Sequence, residues 1–149
     1  RVRDLVSRSV PTLGVCFGQQ VVHSALGGSV VADELTTDLV DADLDADPLF
    51  DGVTPTVPAL HGDLVTEPGD DVAVIGSAPH APVFAGRHER APLWTVQFHP
   101  DFRRRHVELV ADDWNEPVGD VGWDDCYAHR VLERVGAVAT ERAGDAAAR

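Results

Sequence analysis

The sequence predicts a single α/β domain, and three observations carry the prediction. A short apolar run, Thr12–Cys16, passes directly into apolar residues at helical spacing, so a strand turns into a helix at Cys16. Four further apolar stretches between Thr56 and Phe98, each bounded by turn residues, read as strands. Helical periodicity then returns after Pro100. With 149 residues, 44% hydrophobic and 25% charged, the chain has enough apolar material for one globular core and little room for a second.

The elements follow in order. Arg1–Ser9 reads as the end of an amphipathic helix, with Val2, Leu5 and Val6 on one side and Pro11 closing it. The helix after Cys16 carries Phe17, Val21, Val22, Ala25 and Leu26, and Gly27-Gly28 stops it. Ser29–Ala32 and Thr37–Leu44 read as strands. Asp41, Asp43, Asp45 and Asp47 alternate with apolar residues, which suits a solvated face; the central Gly and closing Glu of a calcium loop are missing. Pro48–Gly52 forms one helical turn. The strands that follow are Thr56–Leu60, Val72–Ser77, Pro82–Arg87 and Leu93–Phe98. Phe102, His106, Leu109 and Val110 then space a helix. A loop spans 112–122, and a last helix from Asp124 to Glu141 presents Tyr127, Val131, Val135 and Val138 on one face. Residues 112–149 are thus a loop-and-helix extension of a domain that takes in 1–149, with a frayed tail.

Composition excludes several functions. The formal charge of -13 argues against nucleic acid, which needs a basic footprint. No apolar run is long enough to span a membrane, and no secretory leader opens the chain, so a cytoplasmic location is expected. Two cysteines supply neither a disulfide framework nor a cysteine-rich zinc site. His23, His61, His80, His88, His106 and His129 lack metal-ligand spacing, so no metal and no cofactor are expected. There is no methionine, and residue 1 is Arg, which predicts a fragment or a processed chain. All 12 basic residues are Arg, and 18 of the 25 acids are Asp. That balance resembles proteins of salt-loving organisms, although GC-rich coding produces the same Arg bias.

Gly14-Val15-Cys16-Phe17-Gly18 has the form of a nucleophile elbow with Cys at its centre. A tight strand-to-helix bend strains the backbone and needs small neighbours, which Gly14 and Gly18 supply. The helix N-terminus aims free N–H groups at the sulfur, which favours thiolate and can hold an oxyanion. A buried structural thiol is the competing reading of Cys16. His99, in Gln97-Phe98-His99-Pro100-Asp101, is the candidate base. Asp101 lies two residues on and can orient its imidazole.

Taken together, GVCFGQQ, LHGDLV and WTVQFHPD resemble, in order, the motifs of the class I glutamine amidotransferases, and the stand-alone, GMP-synthase-like members most of all. The resemblance runs from Pro11 to Phe102. It implies a flavodoxin-like fold: a mostly parallel sheet with helices on both faces. It implies that Cys16 attacks the glutamine side-chain amide to form a γ-glutamyl thioester. His99 would then protonate the departing ammonia and activate water, with Asp101 orienting it. For substrate binding it implies Gln20, Gly62, Asp63 and the backbone N–H of Phe17. Glutamine or a γ-glutamyl compound would be the substrate, and a separate synthase the ammonia acceptor.

The match departs from the family at four places. Asp101 stands where Glu is usual, Thr95 where Gly is common, and Leu60 where Ser precedes H-G-D. The strands and glycine-rich oxyanion loop that precede the nucleophile in the family are absent from this sequence. Rival readings are a γ-glutamyl peptidase, a catalytically inactive interaction domain, an α/β-hydrolase built from Cys16, Asp63 and His99, and a papain-like protease. Cys126 reads as a packed core thiol, and the Arg103–Arg105 run as a solvated helix face.

Overall fold

A computed structural model describes residues 1–103, 105–106, 108–109 and 126–147. Its elements are α1 (Val2–Ser7), β1 (Thr12–Val15), α2 (Phe17–Ala25), β2 (Ser29–Asp41), β3 (Asp43–Leu44), a 3-10 turn (Pro48–Phe50), β4 (Thr56–Glu67), β5 (Val72–Ala78), β6 (Ala81–His88), β7 (Leu93–Val96) and α3 (Arg130–Ala147). Five strands form one sheet in the order β1-β7-β6-β5-β3, and β2 and β4 form a separate antiparallel pair. Within the larger sheet β1 runs parallel to β7, and the other described pairings are antiparallel.

Strand alternation on β7 shows how helices come to cover both faces. Leu93 joins Val22 and Leu26 of α2 and Val72 in a small apolar cluster, against which Val2 and Val6 of α1 pack. Trp94 and Val96 point the other way, into the main core with Phe50, Val57, Phe84, Phe98 and Val131, where Val135 and Val138 of α3 also pack. Thr95 is fully buried on the α2 side, and its hydroxyl meets His23 Nε2 at 3.0 Å. His23 Nδ1 accepts from the Gly69 N–H at 3.0 Å, so Nε2 carries the hydrogen and donates to Thr95. Thr95 thus supplies the acceptor that the buried histidine on α2 requires.

Several boundaries differ from the sequence reading. The two strands expected within 29–44 are one long β2 with an irregularity between Ala32 and Thr36, followed by the two-residue β3. Thr56–Leu60 extends to Glu67, so His61-Gly62-Asp63 lies within β4 and is neither a loop nor a strand-end turn. Pairing with β2 (Thr36 with His61, Ala32 with Asp63) carries the strand through. β7 ends at Val96, and Gln97 and Phe98 form a bend beyond it. The final helix starts at Arg130; Tyr127 precedes it, is 40% exposed, and carries the Arg130 guanidinium over its ring. Arg105, His106, Glu108 and Leu109 have helical backbone, as expected after Pro100. The 112–122 loop, Arg104 and the start proposed for the last helix at Asp124 lie outside the described residues.

Two of the alternating aspartates are engaged by local structure. Asp41 accepts from Thr56 Oγ1 at 2.7 Å. Asp47 caps the 3-10 turn through the Leu49 N–H and pairs with Arg87 at 2.9 Å. Among the described residues, no group of three or more His, Cys, Asp or Glu side chains is placed to hold a metal, and no helix is long and apolar enough to cross a membrane.

Candidate active site

The bend between β1 and α2 places Cys16. Its N–H donates to Val96 O at 2.8 Å, which continues the parallel pairing with β7. Cys16 is then the N-cap of α2, with φ 50° and ψ -107°. A side-chain-bearing residue rarely takes that conformation, and strain of this kind collects at functional sites. Gly14 makes the bend possible: a Cβ there would sit 2.8 Å from Gly18 O, backbone against backbone. Gly18 itself is different. An added Cβ would meet open space, so the expected need for a small residue on both sides holds only for Gly14.

The partly buried thiol donates to Leu60 O at 3.4 Å and receives the Gln97 Nε2 amide at 3.7 Å. Burial pushes its pKa above the ordinary thiol value, and the charges of Asp101 and Asp63 add to this. The Phe17 N–H and the Gln97 amide pull it down. The helix N-terminus therefore acts in the expected direction, but desolvation outweighs it and the resting sulfur is a neutral thiol.

His99 lies just beyond β7. Its N–H donates to Pro58 O at 2.8 Å, and its ring stacks on Phe102 with centroids 4.1 Å apart. Pro58 and Leu60 are two residues apart on β4, so their carbonyls share one edge of that strand. One edge thus holds both the Cys16 thiol and the His99 backbone. Asp101 Oδ1 lies 3.4 Å from His99 Nδ1, longer than a good hydrogen bond. Asp101 is exposed, while the His99 side chain is 17% exposed.

The residues expected to bind substrate are distributed as follows. Gln20 is buried and donates from Nε2 to Asp63 O at 3.1 Å, so its amide fastens α2 to β4. Asp63 is exposed and Gly62 partly so, and a Cβ on Gly62 would meet the Asp33 carbonyl oxygen at 3.9 Å, an ordinary contact. The Phe17 ring is 71% exposed beside the bend, and its N–H faces the sulfur.

Sequence reasoning missed four neighbours. Gln19 is fully buried and donates to Val83 O at 2.8 Å. Gln97 is fully buried with Oε1 unpartnered, and a lone amide inside an apolar strand was the available signal. Leu60 acts through its carbonyl, which no side-chain motif reports. His61 is buried, and its Nε2 meets His80 Nε2 at 3.2 Å. Burial and the neighbouring His80 lower the His61 pKa to about 4.

Residues 1–110 match the family of class-I glutamine amidotransferases. The chain belongs to that family. Over 100 residues it is 35% identical to the glutamine-hydrolysing GMP synthase of Brucella melitensis biotype 1, covering 62% of this chain and 20% of that protein. It is equally similar to the enzyme of Brucella ovis, of which it covers 19%. The chain thus spans about a fifth of the curated relatives it matches. Among solved structures, a glutamine amidotransferase from Methylobacillus flagellatus superposes with a TM-score of 0.71 at 18% identity, covering 90% of this chain and 65% of that one. A glutamine amidotransferase from Thermotoga maritima superposes at 0.62 with 17% identity, covering 93% and 63%. These neighbours share the flavodoxin-like α/β fold expected from the sequence.

Proposed function

We propose that this class-I amidotransferase chain hydrolyses the side-chain amide of glutamine through a thioester on Cys16. The observation that carries the reading is the shared β4 edge, where Pro58 O and Leu60 O hold the backbone of His99 and the thiol of Cys16 at the mouth of a strained bend. In the first half-reaction Sγ bonds to the amide carbon while the thiol proton passes to His99. The carbon–nitrogen bond then breaks, and His99 returns the proton to the leaving nitrogen, which departs as ammonia. The Phe17 N–H is placed for the oxyanion. In the second half-reaction water attacks the thioester, its proton goes to His99, and the carbon–sulfur bond breaks to regenerate the thiol and free glutamate.

Because the resting thiol is neutral, proton loss accompanies attack instead of preceding it. Asp101 orients the imidazole, and as an exposed, loosely placed carboxylate it contributes less than Cys16 or His99. The exposed Asp63, with Gly62 beside it, takes the amino-acid end of the substrate. The ammonia is passed to a synthase, a reading that the similarity to glutamine-hydrolysing GMP synthases supports. A cytoplasmic setting suits two free cysteines.

The test pairs product release with labelling. With glutamine, glutamate and ammonia should appear in equal amounts, faster than from γ-glutamyl dipeptides. A diazoketone analogue of glutamine should attach once, at Cys16. Labelling absent or confined to Cys126, with no glutamate formed, would overturn the proposal.

A further inference from the structure

The His61–His80 contact has no part in the chemistry just described, yet it touches the segment that shapes the site. His61 sits on β4 between Leu60, whose carbonyl takes the Cys16 thiol, and Gly62-Asp63, where the Asp63 carbonyl takes Gln20. His80 sits in the tight turn between β5 and β6. The two rings are nearly parallel at 17°, with centroids 5.1 Å apart and Nε2 atoms only 3.2 Å apart. Nitrogens nearer than centroids mean that the rings meet nitrogen to nitrogen, as an N–H···N hydrogen bond requires. Phe84 packs edge-on against His80 and tilted against His61, which closes the apolar side.

We propose that His80 is a positioning residue for the cysteine centre: through its Nε2–Nε2 bond to His61 it clamps the Leu60–Asp63 stretch of β4, whose carbonyls hold Cys16 and Gln20. The proposal rests on the glutaminase reading for its consequence in turnover, and on geometry alone for its consequence at the thiol.

Proton counting gives the clamp a condition. An N–H···N bond holds one proton between the two nitrogens, so the pair must be neutral overall. His61 is buried, which disfavours charge on that ring. Once both Nε2 atoms carry hydrogen the bond is gone and like charges repel. The other groups acting on His61 are the Asp63 backbone and Asp33, which favour a charge there, and His99, which opposes one. Asp63 lies two residues along β4.

The experiment follows Cys16 alkylation by iodoacetamide, read by peptide mass spectrometry so that Cys126 is scored separately, and glutamine turnover across pH. Wild type is compared with His80→Ala and His80→Gln. Alanine removes the bond; glutamine can still donate to His61 Nε2 but cannot take up a proton. In His80→Ala, turnover should fall about ten-fold through kcat, as expected for a misplaced reacting group. Alkylation of Cys16 should speed up severalfold, because the thiol is released from the Leu60 carbonyl. In His80→Gln both should return toward wild type. The proposal is overturned if His80→Ala alkylates with the wild-type rate and pH profile, or if a folded His80→Gln behaves like His80→Ala. If wild type fails to turn over glutamine, the glutaminase reading fails while the alkylation profiles still decide the role of His80.

Discussion

The two cysteines of the chain share burial and little else. Both are partly buried, both are free thiols, and burial raises the pKa of each. Cys126 packs against the main apolar core, and among the described residues the Ala128 N–H favours its thiolate. Cys16 sits at positive φ on a helix N-terminus, receives the Phe17 and Gln97 donors, and shares its β4 edge with His99. Desolvation, which both feel, therefore does not distinguish nucleophile from core filler. What distinguishes them is the set of polar groups that can take the proton and stabilise what remains.

The largest effect should come from exchanging the two roles. Cys16→Ala should reduce glutamine hydrolysis by about 10⁴-fold or more, since nucleophile removal in a concerted set abolishes nearly all covalent catalysis. Cys126→Ala should leave kcat within about two-fold and cost stability alone, as a small core truncation does. Steady-state kinetics on the two variants decides this. Comparable losses in both would erase the distinction.

Acid should next separate the α2 side, which carries Cys16, from the α3 side. His23 is fully buried beneath α2, and desolvation lowers its pKa from 6.5 to about 4. The unfolded chain therefore binds the proton first as pH falls. Stability is complete above about pH 6.5 and declines toward pH 4, by up to about 3 kcal/mol from this one group. His61, also near 4, adds in the same direction. Thermal melts from pH 7 to pH 4 should show the midpoint falling, with a smaller fall in His23→Gln, which keeps a donor and an acceptor without titrating. An identical pH slope in wild type and His23→Gln would show that the buried imidazole is not the cause.

The bend at Cys16 can be tested against its neighbours. Gly14→Ala drives a Cβ against Gly18 O and should cost about 1–3 kcal/mol, as overpacking against rigid backbone does. Gly18→Ala meets open space, and alanine's helix propensity should leave stability unchanged or raise it by up to about 1 kcal/mol. Denaturant midpoints measure both. Equal destabilisation would mean that the joint is crowded from both sides.

How much of this was legible can be argued from particular residues. The strand-to-helix joint was readable because apolar periodicity changes from continuous to helical at Cys16, and the β1–α2 boundaries follow it closely. From sequence β4 ends too early, at Leu60, because the glycine and aspartate that follow are turn residues locally. The partner strand that overrides them, β2, lies some 25–30 residues earlier in the chain. Cys16, His99 and Asp101 could be named from motif spacing, but their linkage through Pro58 O and Leu60 O could not, because carbonyl acceptors are the same in every residue. The sign of the Cys16 pKa was likewise out of reach. The helix N-terminus is visible in sequence, whereas the desolvation that outweighs it depends on three-dimensional packing.

The finest contrast between the cysteines is Gln97, a side-chain donor to Cys16 with no counterpart at Cys126 among the described residues. Its Nε2 reaches the sulfur at 3.7 Å, a long contact, so its hold on the thiolate is weak. Its Oε1 is buried without a partner, so replacing the amide removes an unsatisfied acceptor along with the useful donor. Gln97→Leu should therefore raise the Cys16 pKa by less than about one unit, worth under about 1.4 kcal/mol, and leave folding stability nearly unchanged. Alkylation rate against pH, with Cys126 as the reference within the same sample, resolves a shift of that size. A pKa that stays put would assign the tuning of Cys16 to the Phe17 N–H alone. The two thiols would then differ through the bend and His99, with no contribution from the side chain of residue 97.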